Sequence, residues 1–201
     1  MNRLHRAALA LVRVLALSLL ALPGVSAASA LGRAQPHPPL PAAVAAQGAD
    51  DPIPGVEEFK GLNPAHRMGP IEYDQTPPVG GEHAPIWVNC GAYAQVVPTE
   101  MAVHSLEHGA VWITYQPDLA DADVAALRAL ARGRDYVLVS PWGAGGLPSA
   151  VVAVAWGLRL QADGAADPRL AAFVARYANG PQTPEPGAPC RGGLGTPLPN
   201  P

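Results

Sequence analysis

Four histidines, His66, His83, His104 and His108, crowd into one stretch of a 201-residue chain that holds only six. Two of them lie in the segment Pro98-Thr-Glu-Met-Ala-Val-His-Ser-Leu-Glu-His-Gly109. Thr99 suits an N-cap there, Glu100 the first turn and Gly109 the position just past the end, so the spacing predicts a short helix from Glu100 to His108. At about 100° per residue, Met101, His104, Ser105 and His108 share one face, Val103 and Leu106 take the other, and Glu107 stands to the side of the histidines. The apolar face should pack on the domain and leave the Met and His face free. Imidazoles four residues apart point the same way, which lets both reach one ion.

A single histidine usually ends as a hydrogen-bonded core or surface residue. A pair at this spacing, with two more nearby, favours a metal site with His66, His83, His104 and His108 as ligands and Met101 or Met68 as a soft auxiliary. Imidazole suits the cupric ion and a thioether the cuprous one, so copper is the expected metal and zinc the alternative. Calcium or magnesium would need more oxygen ligands than this stretch offers. Binding or handling of copper is therefore the leading function.

Two other functions compete. His104-Ser-Leu-Glu107-His108 has the spacing of an inverted zincin element, in which two histidines hold zinc and a carboxylate activates water, but no histidine follows His108 as a third ligand. The other is a metal-free domain that binds a partner or a cell-wall component. Trp87, Trp112, Trp142 and Trp156 are candidate stacking groups for it, although Trp112 and Trp156 fall in predicted strands and should be core. Ser105 and Ser140 lack a nucleophile-elbow context, and Gly143-Ala-Gly-Gly146 leads to Pro148 and a strand, which makes it a turn and not a phosphate loop. That turn is a candidate border of the histidine site. The balance is against an enzyme.

The elements that must position these groups divide into two halves. Residues 56–98 are dense in Pro and Gly and predict loops and isolated extended segments. The second half is regular: a strand at Ala110–Tyr115, a helix capped by Asp118 and running to Gly133, a strand at Tyr136–Val139, another from Ala150 through Leu158 to about Leu160, and a helix from Arg169 to Tyr177 behind Asp167-Pro168. This β-α-β-β-α order predicts an α+β fold, a mixed sheet with helices on at least one face, packed against the Pro/Gly-rich half. A thioredoxin-like arrangement shares the order, but there is no Cys-x-x-Cys to carry its redox chemistry.

Outside the domain, residues 1–30 have the basic head, the short apolar run Val14–Leu22 and the Ala-x-Ala-like end of a secretory signal, with cleavage expected after Ala27 or Ala30. That run is well short of the ~20 residues a bilayer span needs, so no lasting membrane anchor is expected, and no cysteine follows it for lipid attachment. Residues 31–55 read as a flexible Pro/Ala-rich tether, 56–179 as one globular domain and 180–201 as a Pro/Gly-rich tail. Loss of Arg3, Arg6 and Arg13 with the signal leaves 10 of 13 basic residues against 16 acidic ones, which argues against nucleic acid as a partner. Cys90 and Cys190, the only cysteines, are expected to pair in an oxidising compartment, with a Cys90 thiolate as metal ligand the rival.

The run from Pro77 to Tyr93, with Gly80-Gly-Glu-His83 and Trp87-Val-Asn-Cys90, is followed by Val103-His-Ser-Leu-Glu-His-Gly-Ala-Val111. Together they closely resemble the bacterial domain-of-unknown-function family 3105, over about Glu58 to Tyr177. The resemblance implies an exported or membrane-tethered protein with no settled activity, and histidines at the places of His66, His83 and the His-x-x-Glu-His element. Gly80 stands where the family usually has Ser, which puts a hydroxyl contact in doubt. Met101 stands where many relatives have Asn, which weakens the case for a thioether ligand.

Overall fold

The computed structural model describes residues 51–143 and 145–199. The expected signal peptide and most of the tether lie outside them. Six strands form one sheet in the order β1-β6-β5-β3-β4-β2: β1 (Val56–Glu58), β2 (Gly91–Ala92), β3 (Val111–Tyr115), β4 (Val137–Pro141), β5 (Val151–Ala155) and β6 (Leu158–Ala162). Strands β2, β4 and β3 run parallel, while β5, β6 and β1 add antiparallel pairs. The helices are α1 (Thr99–Glu107), α2 (Asp121–Ala129) and α3 (Pro168–Tyr177). This is the expected α+β fold with a mixed sheet.

Strand β3 is rich in β-branched and aromatic residues and is buried along its whole length, because the sheet is covered on both faces. Val111, Ile113, Val137, Val139 and Val151 turn to one core, which Leu127 of α2 and Leu170, Phe173 and Val174 of α3 complete. Trp112, Leu138, Val152 and Val154 turn to the other, which meets Ala102, Val103 and Leu106 of α1 and Val79 and Val88 from the Pro-rich half.

Three local expectations need correction. Pro98, not Thr99, is the N-cap of α1, and Ala120 is that of α2, each without a side-chain cap, so neither Thr99 nor Asp118 plays that part. The single strand expected from Ala150 to about Leu160 is a hairpin, β5 and β6 joined at Trp156-Gly157. Gly157 has φ +72°, and a Cβ there would meet the Phe59 carbonyl at 2.9 Å, so both the turn and its packing call for glycine. This turn also fastens the Pro-rich half: Gly157 N–H donates to Val79 (2.7 Å) and Phe59 N–H to Gly157 (2.8 Å).

Some described residues of the expected tether and tail pack on the domain. Ile53 is buried in the first core, and Arg169 and Arg176 donate to the carbonyls of Pro54 and Asp51. Beyond α3 the chain is irregular, yet Thr183 and Cys190 are buried. The Cys90–Cys190 disulfide forms, which removes Cys90 from the list of metal ligands. No helix among the described residues is long and apolar enough to cross a membrane.

Candidate metal centre

One turn of α1 carries His104, Glu107 and His108, all nearly buried. Ser105 fixes the helix from beneath by donating to the Val88 carbonyl at 2.8 Å. The last carbonyls of a helix have no partner within it, and here the tail supplies them. The Thr183 hydroxyl shares its proton between Leu106 and Glu107, and Glu185 N–H donates to Glu107 at 3.1 Å. Gly109, at φ +105°, ends the helix where a Cβ would lie 3.0 Å from the Asn179 backbone. The face expected to be free is therefore roofed over by the loops and the tail.

The loops bring the other two imidazoles. His66 and His83 face each other across a parallel bridge in which Arg67 N–H donates to His83 (2.7 Å) and His83 N–H to Ala65 (3.1 Å). Ahead of His83, Gly80 has φ +140°, and a Cβ there would lie 2.9 Å from Leu62 and 3.0 Å from the Trp156 ring. A serine at this place would collide unless Leu62 and the indole moved, so glycine fits this packing.

The side chains converge. Oε2 of Glu107 lies 2.9 Å from His83 Nε2, 3.6 Å from His66 Nε2 and 3.8 Å from His104 Nε2. One donor atom from each of these four residues falls within 4.8 Å of every other. His66 stacks on His104, with ring centres 4.8 Å apart, and is the one half-exposed member. Glu107 stands about 60° round the helix from His104, and this is the side on which the loop histidines arrive.

The other ring nitrogens define the chemistry. Nδ1 of His83 lies 2.8 Å from the Gly81 carbonyl, Nδ1 of His104 2.6 Å from Ala84, and Nδ1 of His108 2.9 Å from Pro189. A carbonyl only accepts, so each Nδ1 carries a proton, which leaves Nε2 as the ring atom that can offer a lone pair to a cation. Nε2 of His83 faces the Glu107 carboxylate at 2.9 Å, and those of His104 and His108 face each other at 3.0 Å. Burial, aided by the neighbouring rings of His108 and His83, lowers the His104 pKa to about 4, so that ring is neutral at ordinary pH. This cluster of imidazole and carboxylate groups could hold a metal ion, and carbonyls that orient imidazoles from behind are the usual outer support of metal ligands.

The family model described as Protein of unknown function (DUF3105) matches residues 66–192, from the first converging histidine to just past the disulfide. The chain belongs to this family. No curated protein and no solved structure matches it.

In this DUF3105 domain a second set of potential ligands adjoins the first: Glu107, His108 and Glu185. Glu185 comes from the tail and lies 3.7 Å from His108 Nε2. The sequence signal for it was indirect, since pairing of Cys90 with Cys190 brings the tail towards the helix. Of the expected thioethers, Met68 is 80% exposed, and with Met101 it lines a groove of about 280 Å³ that no histidine borders. The indoles against the site are Trp87, 4.7 Å from the His108 ring, and Trp156, 5.9 Å from that of His83. Trp142 of the expected bordering turn packs instead on Trp112, and Ala144 of that turn lies outside the described residues.

Proposed function

We propose that this is an extracytoplasmic metal-binding protein that holds a divalent transition-metal ion through His66, His83, His104 and Glu107, with copper(II) preferred over zinc. The observation that carries the reading is the setting of the buried His83 and His104 rings, each with Nδ1 held on a backbone carbonyl and Nε2 turned towards the Glu107 carboxylate. The spacing supports it as well. A four-coordinate ion with bonds of about 2.0–2.1 Å sets neighbouring ligand atoms about 2.9 Å apart in a plane, as copper(II) favours, or about 3.3 Å apart in a tetrahedron, as zinc favours, and the three imidazoles lie 2.9, 3.6 and 3.8 Å from Glu107 Oε2.

Imidazole and carboxylate donors suit copper(II) and zinc alike, and at a common site copper binds more tightly. The thioether argument for cuprous copper has little support with Met68 in solvent. A carboxylate so deep among the imidazoles favours a ligand role for Glu107 over that of a base held behind a water. Export is supported by the signal-like residues 1–30 and by the disulfide, which persists in oxidising compartments.

The test is calorimetric titration of the demetallated protein with copper(II) and, separately, zinc. Uptake of at least one ion is expected, with a Kd on the order of micromolar or tighter, and with copper the stronger. The variant His83→Ala with His104→Ala, its fold checked by circular dichroism, should lose this uptake. Undiminished binding in that variant would remove the proposal.

A further inference from the structure

His108 is left over from the set just described, and its surroundings demand an explanation of their own. Its Nδ1 proton is committed to the Pro189 carbonyl, so Nε2, through its lone pair, is the ring atom left to bind a cation. The groups facing that lone pair are themselves acceptors: His104 Nε2 at 3.0 Å and Glu185 Oε2 at 3.7 Å, with the Glu107 carboxylate in the same group. Once His104 gives its single Nε2 pair to the first ion, it has nothing left to offer His108. His108 is 4% exposed, so bulk water does not solve the problem.

We infer that Glu107, His108 and Glu185 form a second position for a divalent transition-metal ion, adjoining the first and sharing Glu107 with it. A carboxylate has two oxygens and can serve two cations. The nearest Glu107 oxygen to His66 and His83 is Oε2, and the second ion is assigned to Oε1. One imidazole and two carboxylates make an incomplete, more oxygen-rich set, so this ion binds more weakly than the first and keeps positions open to water or an external ligand.

The position is built by the tail. Glu185 is held by its own N–H to the Glu107 carbonyl, Thr183 ties the neighbouring turn to the end of α1, and Pro189 supplies the carbonyl that orients His108. Cys190, next in the chain, locks this strap to Cys90.

The inference rests on the first metal position being real, and one experiment separates the two. Disulfide-intact protein is titrated with zinc, which is redox-silent, and the ions per chain are counted by native mass spectrometry. Two ions are expected, the second binding at least about tenfold more weakly. Glu185→Gln keeps the backbone contacts of the strap and should hold one ion with the first affinity unchanged. His108→Ala should give the same count. One ion at saturation in the unaltered protein would overturn the second position alone. Two ions in Glu185→Gln would also overturn it, since the second would then lie elsewhere. No ion in any form would overturn both readings.

Discussion

The two faces of the sheet are finished by different means. Against one, α2 and α3 lay Leu127, Leu170 and Phe173 into a core of valines and isoleucines, and regular periodic packing accounts for most of it, with Ile53 added from the irregular chain ahead of β1. Against the other, α1 makes an apolar base with Val103 and Leu106, but above it come Pro- and Gly-rich loops and an irregular tail that add side chains such as His83 and also the backbone carbonyls that hold the rings. The difference teaches how such a site is held. A packed helix face can place an imidazole, but choosing which nitrogen carries the proton takes an acceptor at a fixed point, and irregular segments deliver one.

If the division is real, a deletion in the first core should cost stability without touching the site. Phe173→Ala is expected to lower unfolding stability in urea by about 3–5 kcal/mol. Its copper affinity, measured without denaturant, should stay unchanged, since the two features lie on opposite faces of the sheet. A large loss of affinity would break the comparison.

Removing the covalent tie of the tail should do both. Cys90→Ser with Cys190→Ser opens a link between residues 100 apart and should cost about 2–4 kcal/mol. It should also weaken zinc binding at the Glu185 position more than at the His66 position. Equal effects on the two would show that the strap has no special claim on either.

The smallest effect is expected with pH. In demetallated protein the unfolded chain protonates His104 near the ordinary 6.5, whereas the folded site resists until about 4. The unfolded state therefore binds more protons across that window, so this ring's contribution is whole above it and is lost as pH falls from 6.5 towards 4. Urea melts at stepped pH should show that loss, and His104→Gln should flatten it. An unaltered slope would mean that the ring is not held neutral.

Much of this was legible beforehand, for reasons that particular residues make plain. The helix carrying His104 and His108 announced itself through Glu100, Gly109 and its periodicity, and β3 through its β-branched and aromatic run. The β5–β6 hairpin was hidden because Trp156-Gly157 interrupts an otherwise apolar stretch by only two residues, and the positive φ of Gly157 does not show in composition. Glu107 was read from helical angles as peripheral to the histidines, since the approach direction of His66 and His83 depends on contacts distant in sequence. Glu185 was out of reach for the same reason. It meets His108 only because the chain returns over the end of α1.

His66 differs from its companions in a way that bears on traffic. The rings of His83, His104 and His108 are pinned from behind, whereas His66 is half open to solvent and has no carbonyl holding its far nitrogen among the described contacts. An ion arriving from outside would meet this ring first, and one departing would shed it first. Exchange with a donor or a chelator would then have a direction, inward past the one half-open imidazole and outward by the same door, with the three carbonyl-held rings behind it.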